Sequence, residues 1–142
     1  MKKVLFDSDV LLDVLAQRQP FVMASAQALN TVRQTKTTKV QGYVSGHAVT
    51  NIFYILRRQV GNESARESLS RLLIHIQVAS VTDDVIRMAL QSSMTDFEDA
   101  VTSEAANAVE VEVIVTRNKS DFANSVVPAM LPDEFLRILK IA

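Results

Sequence analysis

The sequence predicts an α/β fold of three layers, helix–sheet–helix, built on a mainly parallel central sheet. Two observations predict it. A short apolar run, Lys3–Phe6, reads as a strand buried on both faces, as in a parallel sheet. Between the strand candidates lie longer stretches whose apolar residues recur at helical spacing, so strands and helices alternate along the chain. A length of 142 residues, 48% of them hydrophobic and 22% charged, suits one folded domain spanning residues 1–142. No internal repeat, linker or low-complexity segment divides it.

The first strand, Lys3–Phe6, ends abruptly in Asp7-Ser8-Asp9, and Val10, Leu11, Val14 and Leu15 then mark a helix. Pro20 is placed where a first helical turn tolerates it, and Met23, Ala26, Ala28 and Leu29 carry that second helix to about Gln34. Polar Lys36–Lys39 leads to a second strand, Val40–Val44. Gly46 and His47 open a helix carrying Val49, Ile52, Phe53 and Leu56; Gly61 stops it as a C-cap. Asn62-Glu63 starts the next, with Leu69, Leu72, Leu73 and Ile76. A third strand is expected at Gln77–Val81, followed by a helix capped by Thr82 with Asp84 in its first turn. A further helix begins near Asp96 and carries Phe97, Ala100, Val101, Ala105 and Ala108. The fourth strand, Val111–Val115, ends in Thr116-Arg117-Asn118. A weak last strand, Val126–Met130, precedes Pro132 and a terminal helix with Phe135, Leu136 and Leu139. His75 is expected half-buried, and Phe21, Phe53 and Tyr54 are expected in the core.

Composition narrows the chemistry. Fifteen Lys and Arg against sixteen Asp and Glu give a net charge of −1, which excludes a uniformly basic nucleic-acid sleeve but not a local basic strip. The absence of Cys removes disulfides, thiolate metal sites and a cysteine nucleophile. Two histidines are too few for a multi-histidine zinc centre. No apolar run is long enough to span a membrane, and the opening apolar stretch breaks at Asp7, unlike a signal peptide. The expected location is the cytoplasm.

Open α/β sheets bind ligands beyond the carboxyl ends of their strands. Asp7 and Asp9 follow the first strand, and Asn118 and Asp121 follow the fourth. Asp96, Glu98 and Asp99 open a helix, with Asp96 and Asp99 on one face. Brought together, several carboxylates either take up protons or bind a cation, and hard oxygen donors favour Mg²⁺ or Mn²⁺. Such a centre suits hydrolysis of a phosphodiester by water. The plainer readings are that Asp7 or Asp9 caps the first helix, that Asp96 and Asp99 form a capping pattern, and that Asp121 is a turn residue. Arg57 and Arg58 at a helix end read as a solvated pair or as phosphate contacts.

Three blocks in order carry a resemblance: Val4-Leu5-Phe6-Asp7-Ser8-Asp9-Val10-Leu11-Leu12-Asp13, Asp96-Phe97-Glu98-Asp99-Ala100, and Val115-Thr116-Arg117-Asn118-Lys119-Ser120-Asp121-Phe122. With Leu131-Pro132-Asp133-Glu134-Phe135-Leu136 as a common ending, the sequence resembles the PIN-domain family, small α/β metal-dependent nucleases that include VapC-type ribonuclease toxins. The resemblance covers nearly the whole chain. It implies that Asp7 and Asp99 are central ligands of Mg²⁺ or Mn²⁺, supported by Asp96 and Asp121. Asp9 stands where the family usually has Asn, Asn51 where its second acid is expected, and Asn118 where a fourth acid often lies. Asp96 or Glu98 then restores the missing charge, Asp96 ranking higher because it shares a face with Asp99. Asp9, Asn51, Glu98, Thr116 and Asn118 are expected to support the site, and Arg57, Arg58, Arg117 and Lys119 to contact RNA phosphates.

The resemblance implies an endoribonuclease, the toxin of a toxin–antitoxin pair, with RNA as substrate, an antitoxin protein as partner and a homodimeric state. One alternative is a PIN-like binding module without turnover, given Asn51 and Asn118. Another is a phosphatase of the haloacid-dehalogenase type, since Asp7-Ser8-Asp9 resembles its Asp-x-Asp motif, although the later Lys and paired acids of that family are not evident.

Overall fold

In the computed structural model, which describes residues 2–33 and 40–141, five parallel strands form one sheet in the order β3-β2-β1-β4-β5. The strands are β1 (Lys3–Phe6), β2 (Gln41–Ser45), β3 (Ile76–Ala79), β4 (Val113–Val115) and β5 (Ala129–Met130). Helices α1 (Ser8–Leu15) and α2 (Val22–Arg33) cross from β1 to β2, and α3 (Gly46–Val60) and α4 (Asn62–His75) from β2 to β3. Helices α5 (Asp83–Leu90) and α6 (Phe97–Ala108) return the chain to β4; a 3-10 turn (Lys119–Phe122) leads towards β5, and α7 (Pro132–Ile141) follows. The expected polar stretch Lys36–Lys39 and the end of the second helix at Gln34 lie outside the described residues.

Apolar runs without alternation are explained by cores on both faces of the sheet. Val4 and Phe6 of β1 and Val113 and Val115 of β4 pack with Leu11, Leu29, Ile52, Leu72 and Phe135 on one side. Leu5 and Ile114, the intervening residues, pack with Val85, Val101, Ala105 and Phe122 on the other. Residues adjacent in a strand point to opposite faces, so each face needs its own apolar set. Phe135 closes α7 onto the sheet, its ring edge-on to Phe6 at 6.4 Å. Gly42 of β2 leaves no room for a side chain: a Cβ there would lie 2.8 Å from Ile76 Cγ2. Gly61, at φ +89°, takes a backbone conformation that favours glycine and separates α3 from α4.

Several boundaries differ from expectation, each for a local reason. Pro20 lies in the turn ahead of α2 rather than in its first turn. β2 runs one residue later, because Ser45 still pairs with Ala79. β3 begins at Ile76, whose N–H caps α4 on Leu72 O, so helix passes into strand without a loop. β4 starts only at Val113, since Val111 N–H is drawn back to Ala106 O at the end of α6. The last strand shrinks to Ala129–Met130 because the N–H groups of Val126 and Val127 bond to Ser103 and Ser125 hydroxyls. His75 is exposed, not half-buried, as Leu72 and Ile76 take the inward positions. Phe21 and Tyr54 are exposed at 40% and 50%, and Phe53 is half-buried; none belongs to the buried core. Among the described residues no helix is long and apolar enough to cross a membrane.

Candidate functional site

From β1 the chain builds outward to β2 and β3, then returns to β4 on the other side of β1. The gap beyond the ends of β1 and β4 is therefore the topological switch point, where open parallel sheets leave a crevice. Asp7 lies there at the end of β1, and Thr116-Arg117-Asn118 lies beside it at the end of β4. Asp7 N–H bonds Val115 O at 2.9 Å, fixing the two chain ends together.

Asp7 caps α1 and faces the crevice at once. One carboxylate oxygen accepts from Ser8 N–H at 2.9 Å and the other from the Thr116 hydroxyl at 2.9 Å. Burial pushes its pKa above the usual carboxylate range, and Asp121 adds to this; the Thr116 and Ser8 bonds and the Arg117 charge oppose it. Asp9, in the first turn of α1, accepts through Oδ2 from Asn118 Nδ2 at 2.9 Å and from Arg117 N–H at 3.2 Å. Its Oδ1 is buried with no partner among the described residues. Burial, with the neighbouring charge of Asp7, lifts Asp9 to about 6.

The third group comes from the start of α6. Asp96 is the N-cap, accepting from Asp99 N–H at 3.0 Å, so the capping reading holds for it. Asp99 lines the recess beside it, and its carboxylate has no hydrogen-bond or ion-pair partner among the described residues. Burial pushes it up to about 7, helped by the charges of Asp7, Asp96, Asp121 and Glu98. Asp96, Asp99 and Asp121 line one recess of about 330 Å³, with Ser120 and Asn124. The charge of Asp121 bears on Asp7, and those of Asp7 and Asp121 bear on Asp99, while no Lys or Arg is ion-paired to the three among the described residues.

The supporting positions sort differently. Asn51, in the second turn of α3, sits with Nδ2 3.5 Å from Glu98 Oε2, the long limit of a hydrogen bond. Glu98 is therefore the acid beside Asn51, whereas Asp96, ranked above it from the sequence, lines the recess with Asp99. Lys119 is held by Glu134 in an exposed ion pair at 3.1 Å. Arg117 turns inward: its Nε lies 2.7 Å from Asp13 Oδ2, and its guanidinium stacks 3.8 Å from the centre of the Phe21 ring. Both cations are engaged within the protein, Lys119 at the surface and Arg117 turned inward. Arg57 and Arg58 lie at the far end of α3, about 17 Å along the helix axis from its start.

Two residues escaped sequence reasoning. Asp13 is fully buried and binds Arg117 and the Ser25 hydroxyl, the latter at 3.1 Å. An acid inside the apolar run Leu11-Leu12-Asp13-Val14-Leu15, four residues after Asp9 and so on its helix face, was the available signal. His47 joins the start of α3 to the start of α6, its ring nitrogens lying 3.2 Å from Ser45 Oγ and 3.2 Å from Glu98 O. Burial lowers its pKa, and no spacing pattern marked it.

The donors suit a hard divalent ion in kind: carboxylate oxygens, one buried and unpartnered, in mutual repulsion. As they stand, no three Asp, Glu or His side chains among the described residues converge closely enough to cage an ion.

Comparison with known proteins bears on the fold and the family. No curated protein sequence matches the chain. Among solved structures it is similar to a toxin–antitoxin complex from Klebsiella pneumoniae, at 20% identity, TM-score 0.68, covering 91% of this chain and 97% of that one. It is also similar to DNA-bound VapBC from Salmonella typhimurium, at 13% identity, TM-score 0.67 and coverage of 93% and 99%. A third match is the sarcin–ricin loop cleaving VapC toxin of Mycobacterium tuberculosis, at 14% identity, TM-score 0.60 and coverage of 78% and 86%. At these identities the likeness is one of fold. The family model for the PIN domain matches residues 3–120, most of the chain, and the protein belongs to the PIN domain family.

Proposed function

We propose that the protein is a Mg²⁺- or Mn²⁺-dependent endoribonuclease acting in the cytoplasm as the toxin of a toxin–antitoxin pair. One observation carries the reading: Asp99 and Asp121 line one recess, the charges of Asp7 and Asp121 both bear on Asp99, and none of the three has an ion-pair partner among the described residues. Several negative charges at short range repel by kcal/mol amounts at protein-like dielectric. A divalent cation relieves that repulsion, and its substrate then arrives with a phosphate.

Asp7 and Asp99 would hold the ion, with Asp96 and Asp121 supporting. A bound divalent ion supplies Lewis acidity towards phosphate oxygens and water. Asp7 is kept in place by Ser8 and Thr116, so its position is set before any ligand arrives. Asp99 and Asp121 carry no bond among the described residues that fixes their carboxylates, which leaves them able to turn inward. Asp9 orients the Thr116–Asn118 turn. Glu98 supplies charge near Asn51.

The structural relatives that are toxin–antitoxin complexes support an antitoxin protein as partner, and a homodimer is proposed with it. The PIN match leaves the phosphatase alternative without support. A PIN-like module without turnover is favoured only by the neutral Asn51 and Asn118; calorimetric titration with Mn²⁺ separates the two, since that module would bind none at millimolar concentration.

The test is cleavage of a mixed RNA pool with Mg²⁺, Mn²⁺ or chelator. Wild type is expected to cleave only with the metal, while Asp7→Asn and Asp99→Asn lose cleavage and keep their circular dichroism spectra. Retained cleavage in both variants overturns the assignment.

A further inference from the structure

Away from the acidic crevice, the outward surface of α3 combines aromatic rings with arginines that form no ion pair among the described residues. Tyr54 is 50% exposed, and Arg57 lies over its ring at 5.2 Å. Phe53 packs edge-on to Tyr54 at 5.4 Å, and Arg66 of α4 covers Phe53 at 5.9 Å. Among the described residues Arg57, Arg58 and Arg66 form no ion pair.

Helical spacing connects this surface to the crevice. Asn51, Tyr54 and Arg58 follow one another at three- and four-residue steps and share one face of α3. Thr50, Tyr54 and Arg57 do the same on the adjoining face, which borders a cleft of about 420 Å³ between α3 and α4. The stripe begins beside Glu98, where Asn51 meets the start of α6, and reaches Arg58 about 10 Å further along the axis. The near end of this stripe, at Asn51, thus touches the helix whose first turn carries Asp99.

We infer that the α3 face formed by Tyr54, Arg57 and Arg58 is a platform for single-stranded RNA flanking the cleaved bond. Tyr54 and the guanidinium over it offer flat surfaces on which an unpaired base stacks, and the arginines neutralise adjoining phosphates. Stacking on a ring tolerates any base, so the platform adds affinity and requires a single strand without reading sequence. This inference rests on the ribonuclease reading for the identity of the ligand, but its residues are separate from the acids.

The experiment measures fluorescence anisotropy of a labelled single-stranded oligoribonucleotide against the folded protein in an Asp99→Asn background, where nothing is cleaved. Tyr54→Ala is expected to weaken binding about tenfold, and Tyr54→Phe to restore it. Arg57→Gln with Arg58→Gln is expected to weaken binding and to reduce the slope of log affinity against log salt by about 0.7 for each phosphate no longer neutralised. A duplex of the same sequence should bind more weakly than the single strand. Unchanged affinity and salt slope in these variants, or no RNA binding by the parent protein, overturns the platform. A shift in sedimentation coefficient in the variants, with RNA affinity unchanged, assigns the face to contact between copies and also overturns it. Parent protein that binds RNA through these residues, in a wild-type chain that cleaves none with Mg²⁺ or Mn²⁺, defeats the nuclease reading and leaves the platform standing.

Discussion

Replacing Asp99 by Asn should make the metal-free protein more stable at about pH 8 while abolishing cleavage. Burial and the charges of Asp7, Asp96, Asp121 and Glu98 raise the Asp99 carboxyl from 3.8 to about 7. A carboxyl whose pKa is higher folded than unfolded holds its proton more tightly in the folded protein. Its penalty is absent below the unfolded value, grows as pH rises through that window, and is complete above the folded value. The full distance between 3.8 and about 7 converts to about 4 kcal/mol. Asp99 is partly open to solvent, so screening reduces the realised penalty to about 1–2 kcal/mol. Urea unfolding in EDTA, followed by circular dichroism across this range, reads it directly. Wild type should lose stability from about pH 4 to about pH 8, with the variant losing less and the two curves meeting at the acid end. Asp9, raised to about 6, leaves a smaller decline in the variant at lower pH. Mn²⁺ should restore wild type at the alkaline end more than the variant, because it binds only the folded acid cluster. Parallel curves, or an Asp99→Asn protein that is weaker than wild type at alkaline pH, would show that the carboxylates do not crowd one another.

Three further perturbations test the surroundings. Arg117→Met leaves Asp13 buried without its cation and should cost about 3–5 kcal/mol in denaturant unfolding, whereas Asp13→Leu with Arg117→Met should recover most of that loss. Gly42→Ala forces a methyl group between Ile76, Val32 and Phe6, within 2.8 to 3.1 Å of each, and should cost about 1–3 kcal/mol; an unchanged melting temperature would contradict the close packing. Asn118→Asp replaces the donor 2.9 Å from Asp9 Oδ2 with an acceptor, and should destabilise the metal-free protein by about 1–3 kcal/mol. The same change should tighten Mn²⁺ binding in calorimetric titration, and equal affinities would count against a divalent ion beside Asn118.

The alternation of strands and helices was legible because both faces of this sheet are covered, which leaves its strands as unbroken apolar runs. Strand ends were less legible, since side chains and helix termini compete for the same N–H groups: Ser103 and Ser125 hold Val126 and Val127 out of the ladder. The acids at the crevice could be named from sequence because each follows a strand or opens a helix. Their hydrogen bonds could not. Nothing in the composition indicates that Arg117 points inward to Asp13 instead of outward, because that depends on α1 and β4 meeting side by side. Phe21 and Tyr54 misled for a related reason. An aromatic residue at helical spacing usually faces a core, but Phe21 is occupied by a guanidinium and Tyr54 lies on the outer side of α3.

Arg117 also shows how acids are held in place without an ion pair to Asp7 or Asp9. α1 presents Asp9 and Asp13 one turn apart towards the turn after β4. The Arg117 main chain answers the first through its N–H, and its side chain answers the second through Nε. The cation is therefore engaged by Asp13, deeper in the protein, while the turn it anchors places Thr116 against Asp7 and Asn118 against Asp9. A cation pointing into the crevice would have satisfied the carboxylates and left no electrostatic need for an external ion. Drawing the guanidinium onto Asp13 and the Phe21 ring holds the turn in place and leaves the acids without an ion pair, the two conditions that the proposed site for a divalent ion and a phosphodiester requires.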